Sequence, residues 1–320
     1  MKEFQFRLPS GVLLAFLAAC GSSQEEAAVG TSDICRVLQV PVPLPDVLTE
    51  ASGFAVSRNH PGVIWSHNDS GGEAELVAVD SGGRLLGRVA VAGAENRDWE
   101  DLALGPCPAG ECLYIADIGD NQGRHQEVVI YRVPEPSPVS ARTAAADPLR
   151  ARYPDGPRDA EALFLLPPDR LYLVTKGTHG PIEIFAFGTL PATDQPVTLE
   201  LVAALSAGPV PLPDQVTAAD ASADGTWVAI RTYTSLLFYS TDRLLAGELA
   251  EPIRFDLASL GEAQGEALAL GPGGSVVLGS EGVASGFPGT IAVLWCAAVV
   301  GSEPAPLESP TASPAADRER

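Results

Sequence analysis

Five segments repeat one pattern along the chain: a short apolar strand, a turn with Gly or Pro, and a second apolar strand. They read SGFAV from Ser52 with GVIW from Gly62, EDLAL from Glu100 with CLYIA from Cys112, and EALFL from Glu161 with RLYLV from Arg170. TAADA from Thr217 with GTWVA from Gly225, and EALAL from Glu266 with GSVVL from Gly274, complete the set. Their first residues lie 48, 61, 56 and 49 positions apart. A spacing of about 50 residues suits a four-stranded propeller blade, which cannot bury its faces alone and must stack on neighbours.

Each segment continues into runs rich in β-branched and aromatic residues. Third strands are predicted at 75–79, 128–133, 182–187, 236–239 and 291–296, and fourth strands at 87–92, 149–153, 198–203 and 252–256. The fifth repeat lacks a fourth strand, whereas an unassigned strand at 34–40 opens the domain. The count closes if that N-terminal strand completes the last blade. The expectation is an all-β, five-bladed β-propeller over residues 34–300, with six blades as the alternative; helical periodicity is weak apart from 241–249.

The first nineteen residues place Lys2 and Arg7 before a short apolar core and small residues, as a processed export segment does. Leu17-Ala-Ala-Cys20 then resembles the bacterial lipobox, which implies lipidation of Cys20, a membrane anchor and a place in the bacterial cell envelope outside the cytoplasm. Residues 20–33 read as a polar tether and 301–320 as a disordered tail. Four cysteines remain, an even number suited to an oxidising compartment. Of three pairings, Cys107 with Cys112 closes a tight turn. That leaves Cys35 with Cys296, which ring closure makes neighbours within one blade.

The chain carries 20 Lys plus Arg against 41 Asp plus Glu, a net charge of −21, with no basic cluster. Phosphate backbones repel such a surface, so nucleic acid is excluded as a partner. A monomer that takes a small polar ligand or an envelope protein is expected. No cysteine spacing suits structural zinc, and Ser70 lacks a serine-protease context.

Strand starts of the five blades place Glu50/Ser52, Asp98/Glu100, Asp159/Glu161, Gln215/Thr217 and Gln264/Glu266 two residues apart, hence on one face lining the channel. Second-strand ends bring His67, Asp69, Asp117, Asp120, Lys176, Arg231, Tyr233 and Glu281 to the same mouth. Carboxylates so crowded need a cation, basic partners or raised pKa values. Glu100, Glu161, Glu266, Asp117 and Asp120 are the expected ligands of a hard cation such as Ca²⁺; His67, Asp69, Lys176, Arg231 and Tyr233 are expected to meet a polar ligand. Lys176 stands out because Lys2 is the only other lysine. The alternative is a carboxylate-based hydrolase, with Glu161 or Glu266 as acid and Asp98 as nucleophile or base; a purely structural acidic ring is a third reading.

Asn68-Asp69-Ser-Gly, Asp98-Trp-Glu-Asp-Leu-Ala103, Asp117-Ile-Gly-Asp-Asn121 and Gln264-Gly-Glu-Ala267 together resemble a group of bacterial secreted β-propeller lipoproteins, distantly similar to phytase-like and NHL-type propellers. The resemblance implies the propeller, export and a calcium site at the channel. It carries no assigned reaction.

Overall fold

The computed structural model describes residues 34–188, 195–248, 251–282 and 288–299. Strand β1 (Cys35–Pro43) precedes a first blade of β2 (Ala51–Val56), β3 (Ile64–Asn68), β4 (Glu75–Val79) and β5 (Leu85–Ala92). The second blade holds β6 (Trp99–Cys107), β7 (Gly110–Asp117) and β8 (Val128–Pro134). Next come β9 (Arg142–Ala145), which pairs in parallel with β5 of the first blade, and β10 (Asp147–Arg152), the outer strand of the second. The third blade contains β11 (Ala160–Leu166), β12 (Arg170–Thr175), β13 (Glu183–Ala186) and β15 (Glu200–Ala204), while β14 (Val197–Thr198) pairs in parallel with β10. β16 (Val216–Ala221), β17 (Trp227–Thr232), β18 (Ser235–Ser240) and β19 (Ile253–Asp256) form the fourth. β20 (Gly265–Leu270), β21 (Ser275–Ser280) and β22 (Thr290–Cys296) form the fifth, whose outer strand is β1. Five blades therefore form a β-propeller, and the six-bladed alternative is set aside. The one α-helix among the described residues is Thr241–Leu245, shorter than the 241–249 periodicity suggested.

Closure of the ring rests on β1 running antiparallel to β22, with Cys35 opposite Cys296 and the two joined by a disulfide. Cys107 and Cys112 form the second bond. The parallel strands β9 and β14 were not anticipated. Each caps the exposed edge of the preceding blade, a common protection of sheet edges against pairing with other chains.

Inner strands are apolar because both of their faces are covered: all seven residues of β11, AEALFLL, are buried. The outer strand β10 alternates, since only one face meets a neighbour. The core is divided into five apolar clusters among the described residues, one at each interface between adjacent blades. Trp65 and Trp99 fill the first interface, Tyr114 and Phe185 the second, Phe164 the third, Phe238 the fourth and Phe54 the fifth.

One irregularity recurs in every inner strand. Pairing with the second strand slips between Ser52 and Phe54, Trp99 and Asp101, Ala160 and Ala162, Val216 and Ala218, and Gly265 and Ala267. Such a bulge re-aims a side chain. In the first blade the bulged residue is Gly53, with φ +60°, and a Cβ there would meet the Leu102 nitrogen at 2.6 Å. Only glycine lets the first and second inner strands approach so closely.

Candidate functional site

The bulges lie at equivalent heights near the start of the inner strands. They align Glu100, Glu161, Thr217 and Glu266 around the channel, each no more than 5% exposed, while blade one has Gly53 at the equivalent place with the buried Ser52 beside it, not Ser52 itself as the sequence pattern suggested. Three of these four side chains are carboxylates, held by backbone geometry beneath the rim and not on flexible loops. The segments just outside the strands add Asp69, Asp98, Asp159, Lys176, Tyr233, Gln264 and Glu281.

Asp69, Asp98 and Glu100 come closest to forming a cation site: one carboxylate oxygen from each lies within 4.8 Å of the other two. Asp69 follows β3 and has its amide bonded to the Glu50 carbonyl at 2.9 Å, whereas Asp98 and Glu100 flank Trp99 at the head of β6. Asp69 Oδ1 is buried without a hydrogen-bond partner. Gly119 lies under the group, and a Cβ on it would stand 2.0 Å from Glu100 Oε1 and 2.5 Å from Asp98 Oδ2. Burial, reinforced by Asp98, pushes the Asp69 carboxyl up to about 6. Burial and then Asp159 raise Asp98; burial and then Glu161 raise Glu100 well above the usual carboxylate range. Three oxygen donors that resist sharing charge with one another suit a hard divalent cation.

Three further carboxylates are already answered by protein groups. Lys176 Nζ reaches Glu161 Oε1 at 2.5 Å, with the lysine 14% and the glutamate 5% exposed. Burial works against the Lys176 charge, but Glu161 outweighs it, and the ammonium is held above its ordinary pKa. The Gln264 amide donates to Glu266 Oε1 at 2.8 Å and to Glu281 Oε2 at 2.9 Å, tying two acids together. Burial and then Glu266 push Glu281 up to about 8. Burial raises Tyr233 as well, with Glu266 next to it.

Other expected site residues are spent elsewhere. Asp117 accepts the Asp98 amide at 3.1 Å and meets Arg97 Nε at 3.3 Å, so it positions Asp98 from behind. Asp120 accepts the amides of Arg124 and His125 at 2.8 and 2.7 Å, closing its own loop, and its amide donates to Asp159 Oδ1 at 3.0 Å across the blade interface. Neither carboxylate joins the Asp69–Asp98–Glu100 group. His67 is fully buried, edge-on to Trp99 with ring centroids 5.4 Å apart, and burial lowers it to about 4. Arg231 is also fully buried. It donates to the Ala267 and Gly279 carbonyls at 2.8 and 3.1 Å and pairs with Glu262, so it joins blades four and five instead of facing a ligand. Cys20 and its lipobox lie outside the described residues.

Asp101 was not anticipated as a special residue. Fully buried next to Glu100, it accepts the Leu102 amide at 2.8 Å, the Leu163 amide at 2.9 Å and the Ala219 amide at 3.2 Å. One carboxylate thus links the inner strands of blades two, three and four. Asp220 does the same on a smaller scale, accepting from Ala221 and from Leu270 of blade five, both at 2.8 Å. The available signal was an acidic residue inside an otherwise apolar inner strand, as in EDLAL and TAADA.

No protein-family model matches the chain, and no curated protein sequence does. Solved structures match along most of its length. The PQQ-bound aldose sugar dehydrogenase of Streptomyces coelicolor superposes with a TM-score of 0.50 at 16% identity, covering 82% of this chain and 97% of that one. The likeness is one of fold. A calcium-binding regucalcin from Agrobacterium tumefaciens has a TM-score of 0.43 at 14% identity, covering 80% of this chain and 93% of its own. A glucose dehydrogenase has 0.47 at 13%, covering 80% and 98%.

Proposed function

We propose that the protein is a lipid-anchored envelope propeller that holds a divalent cation, Ca²⁺ by preference, at the mouth of its channel and presents it to a small polar ligand. The observation that carries this reading is the Asp69–Asp98–Glu100 group with its unpartnered Asp69 oxygen. Thr217, 1% exposed and in the same ring, adds a second buried oxygen without a partner, a hydroxyl. Oxygen-only donors favour Ca²⁺ over softer metals. The PQQ of the sugar dehydrogenase is a tricarboxylate. It would meet several carboxylates here and one ammonium, Lys176, already bonded to Glu161, so the donor set does not suit it. The hydrolase alternative has less support, because its two expected acids each spend an oxygen on a protein donor, Glu161 on Lys176 and Glu266 on Gln264.

Calcium titration of the chelator-treated protein, followed by thermal unfolding, tests the reading. Saturation at a hundredfold over Kd stabilises the folded state by about 2.7 kcal/mol. Glu100→Gln and Asp69→Asn should lose that rise, whereas Asp169→Asn, which removes the same charge at an exposed turn, should keep it. No rise in the unmodified protein, or an equal rise in all variants, would remove the cation site. The anchor is tested separately, by mass spectrometry of the protein made with Cys20 and with Cys20→Ser; lipid on both or on neither refutes it.

A further inference from the structure

A cavity of about 320 Å³ opens beside the mouth, between the loops that follow β7 and β12. Asp120, Arg158, Asp159, Thr175, Thr178 and His179 stand in its wall. Accounting for the hydrogen bonds of each shows what is left for a guest.

Arg158 has no N–H to offer an anion. Its Nε donates to Glu183 at 3.1 Å, one terminal nitrogen meets both Asp155 oxygens at 2.8 Å, and the other reaches the Gly156 and Pro157 carbonyls. Thr175 donates to the Pro181 carbonyl and accepts the Glu183 amide. Both Asp120 oxygens are filled by the amides of its own loop. His179 Nε2 lies 3.3 Å from the Asn121 carbonyl, which can only accept, so Nε2 carries the hydrogen, and in the neutral imidazole Nδ1 is an acceptor.

Two valences are open: Asp159 Oδ2 and Thr178 Oγ1, both buried and unpartnered. Asp159 as a whole is 9% exposed, and its other oxygen is held by the Asp120 amide. A buried carboxylate oxygen without a donor is costly. Asp155 and Glu183 bond the single guanidinium, and Asp120 and Asp159 stand in the wall besides, with Lys176 the other cation that acts on Asp159. The Thr178 hydroxyl is thus the one free side-chain donor of the wall, whose remaining open positions are acceptors.

We infer that this cavity is a binding site for an organic cation bearing a primary ammonium group, whose N–H bonds are met by Asp159, Thr178 and His179. An ammonium supplies three donors and the compensating charge in one compact group. The inference does not depend on a metal at the mouth. Backbone forms much of the wall. Gly177, at φ +90°, would place a Cβ 2.7 Å from Ile182, whereas a Cβ on Gly180 would meet nothing within 4 Å. A larger residue at 180 therefore adds bulk to the wall without a backbone clash.

Isothermal titration of the full chain with 1,4-diaminobutane, and with 1,4-butanediol as the uncharged counterpart, tests the site. The titrations are run with a chelator present, so that their outcome is separate from that of the calcium experiment. The diamine should bind at one site and the diol should not. Asp159→Asn keeps the bond to Asp120 and replaces the open acceptor with a donor; it should weaken the diamine about tenfold or more. Thr178→Val and Gly180→Val leave the net charge unchanged and should also weaken it, whereas Asp169→Asn should not. Equal binding of diol and diamine, absence of diamine binding, or unaltered binding by both Thr178→Val and Gly180→Val would overturn the assignment. The last result would mark a general attraction of cations to an acidic chain.

Discussion

The disulfide that joins the two ends of the ring should contribute more to stability than the one inside a turn, by an amount set by chain length. Cys35 and Cys296 are 261 positions apart and Cys107 and Cys112 only 5. Loop-closure entropy assigns about 5.5 kcal/mol at 25 °C to the long cross-link and about 2 kcal/mol to the short one. For a domain of this size each kcal/mol shifts the melting temperature by roughly 2–4 °C, so the expected falls are about 10–20 °C and about 4–8 °C. The variants Cys35→Ser/Cys296→Ser and Cys107→Ser/Cys112→Ser, followed by circular dichroism on heating, measure both. The first variant should still fold, because the β1–β22 ladder continues from Arg36 opposite Trp295 to Pro43 opposite Thr290. Equal falls, or a larger fall for the short loop, would refute the claim that the long bond acts by closing the ring.

Arg231→Ala should destabilise the protein by about 3–5 kcal/mol in urea unfolding, because it strands Glu262 and two carbonyls in a dry interface; Arg231→Met with Glu262→Gln should recover part of the loss. Burial raises Asp220 to about 6 in the folded state. A carboxylate raised on folding gives stability that is full below its unfolded pKa and lost as pH rises through the folded one. The stability of the unmodified protein relative to Asp220→Asn should therefore fall by about 2.4 kcal/mol between pH 4 and 7, and a pH-independent difference would contradict this. Gly119→Ala should abolish the calcium-linked rise in melting temperature, since its Cβ would occupy the space beneath Glu100 and Asp98.

The propeller was legible because its signal is periodic. Strand pairs recur at nearly constant spacing, a missing fourth strand at one end matches a spare strand at the other, and a cysteine sits on each. β9 and β14 were not legible. RTAA and VT carry no alternation, and they become strands only because an unpaired edge of the preceding blade is waiting for them. At the mouth, Asp98 and Glu100, two residues apart, bring carboxylate oxygens within 4.8 Å of each other. Composition could not say which acids would be consumed by the backbone. Asp117 and Asp120 sit in the same short stretch as Gly119, yet one braces Asp98 and the other closes a loop. His67 pairs with Ser52 before the bulge of its blade and Arg231 with Ala218 after the bulge of its own, yet both side chains are fully buried away from a ligand, His67 against Trp99 and Arg231 against blade five.

The recurring bulge explains why acids gather here at all. An extra residue in each inner strand leaves four side chains converging where adjacent strands are nearest, and the blades differ in how they meet the resulting crowding. Blade one has glycine at the extra position, and the neighbouring Ser52 donates to the Glu100 carbonyl. Blade three brings Lys176 to its glutamate, and blade five brings Gln264. Blade two alone carries Asp101 just below the ring, and that carboxylate consumes the inward amides of blades three and four. Glu100 meets only other acids, Glu161 across the ring and Asp69 and Asp98 beside it, and is left with a deficit of positive charge. That deficit is why we propose the cation at blade two and not at the better-supplied glutamates of blades three and five, which Lys176 and Gln264 already serve.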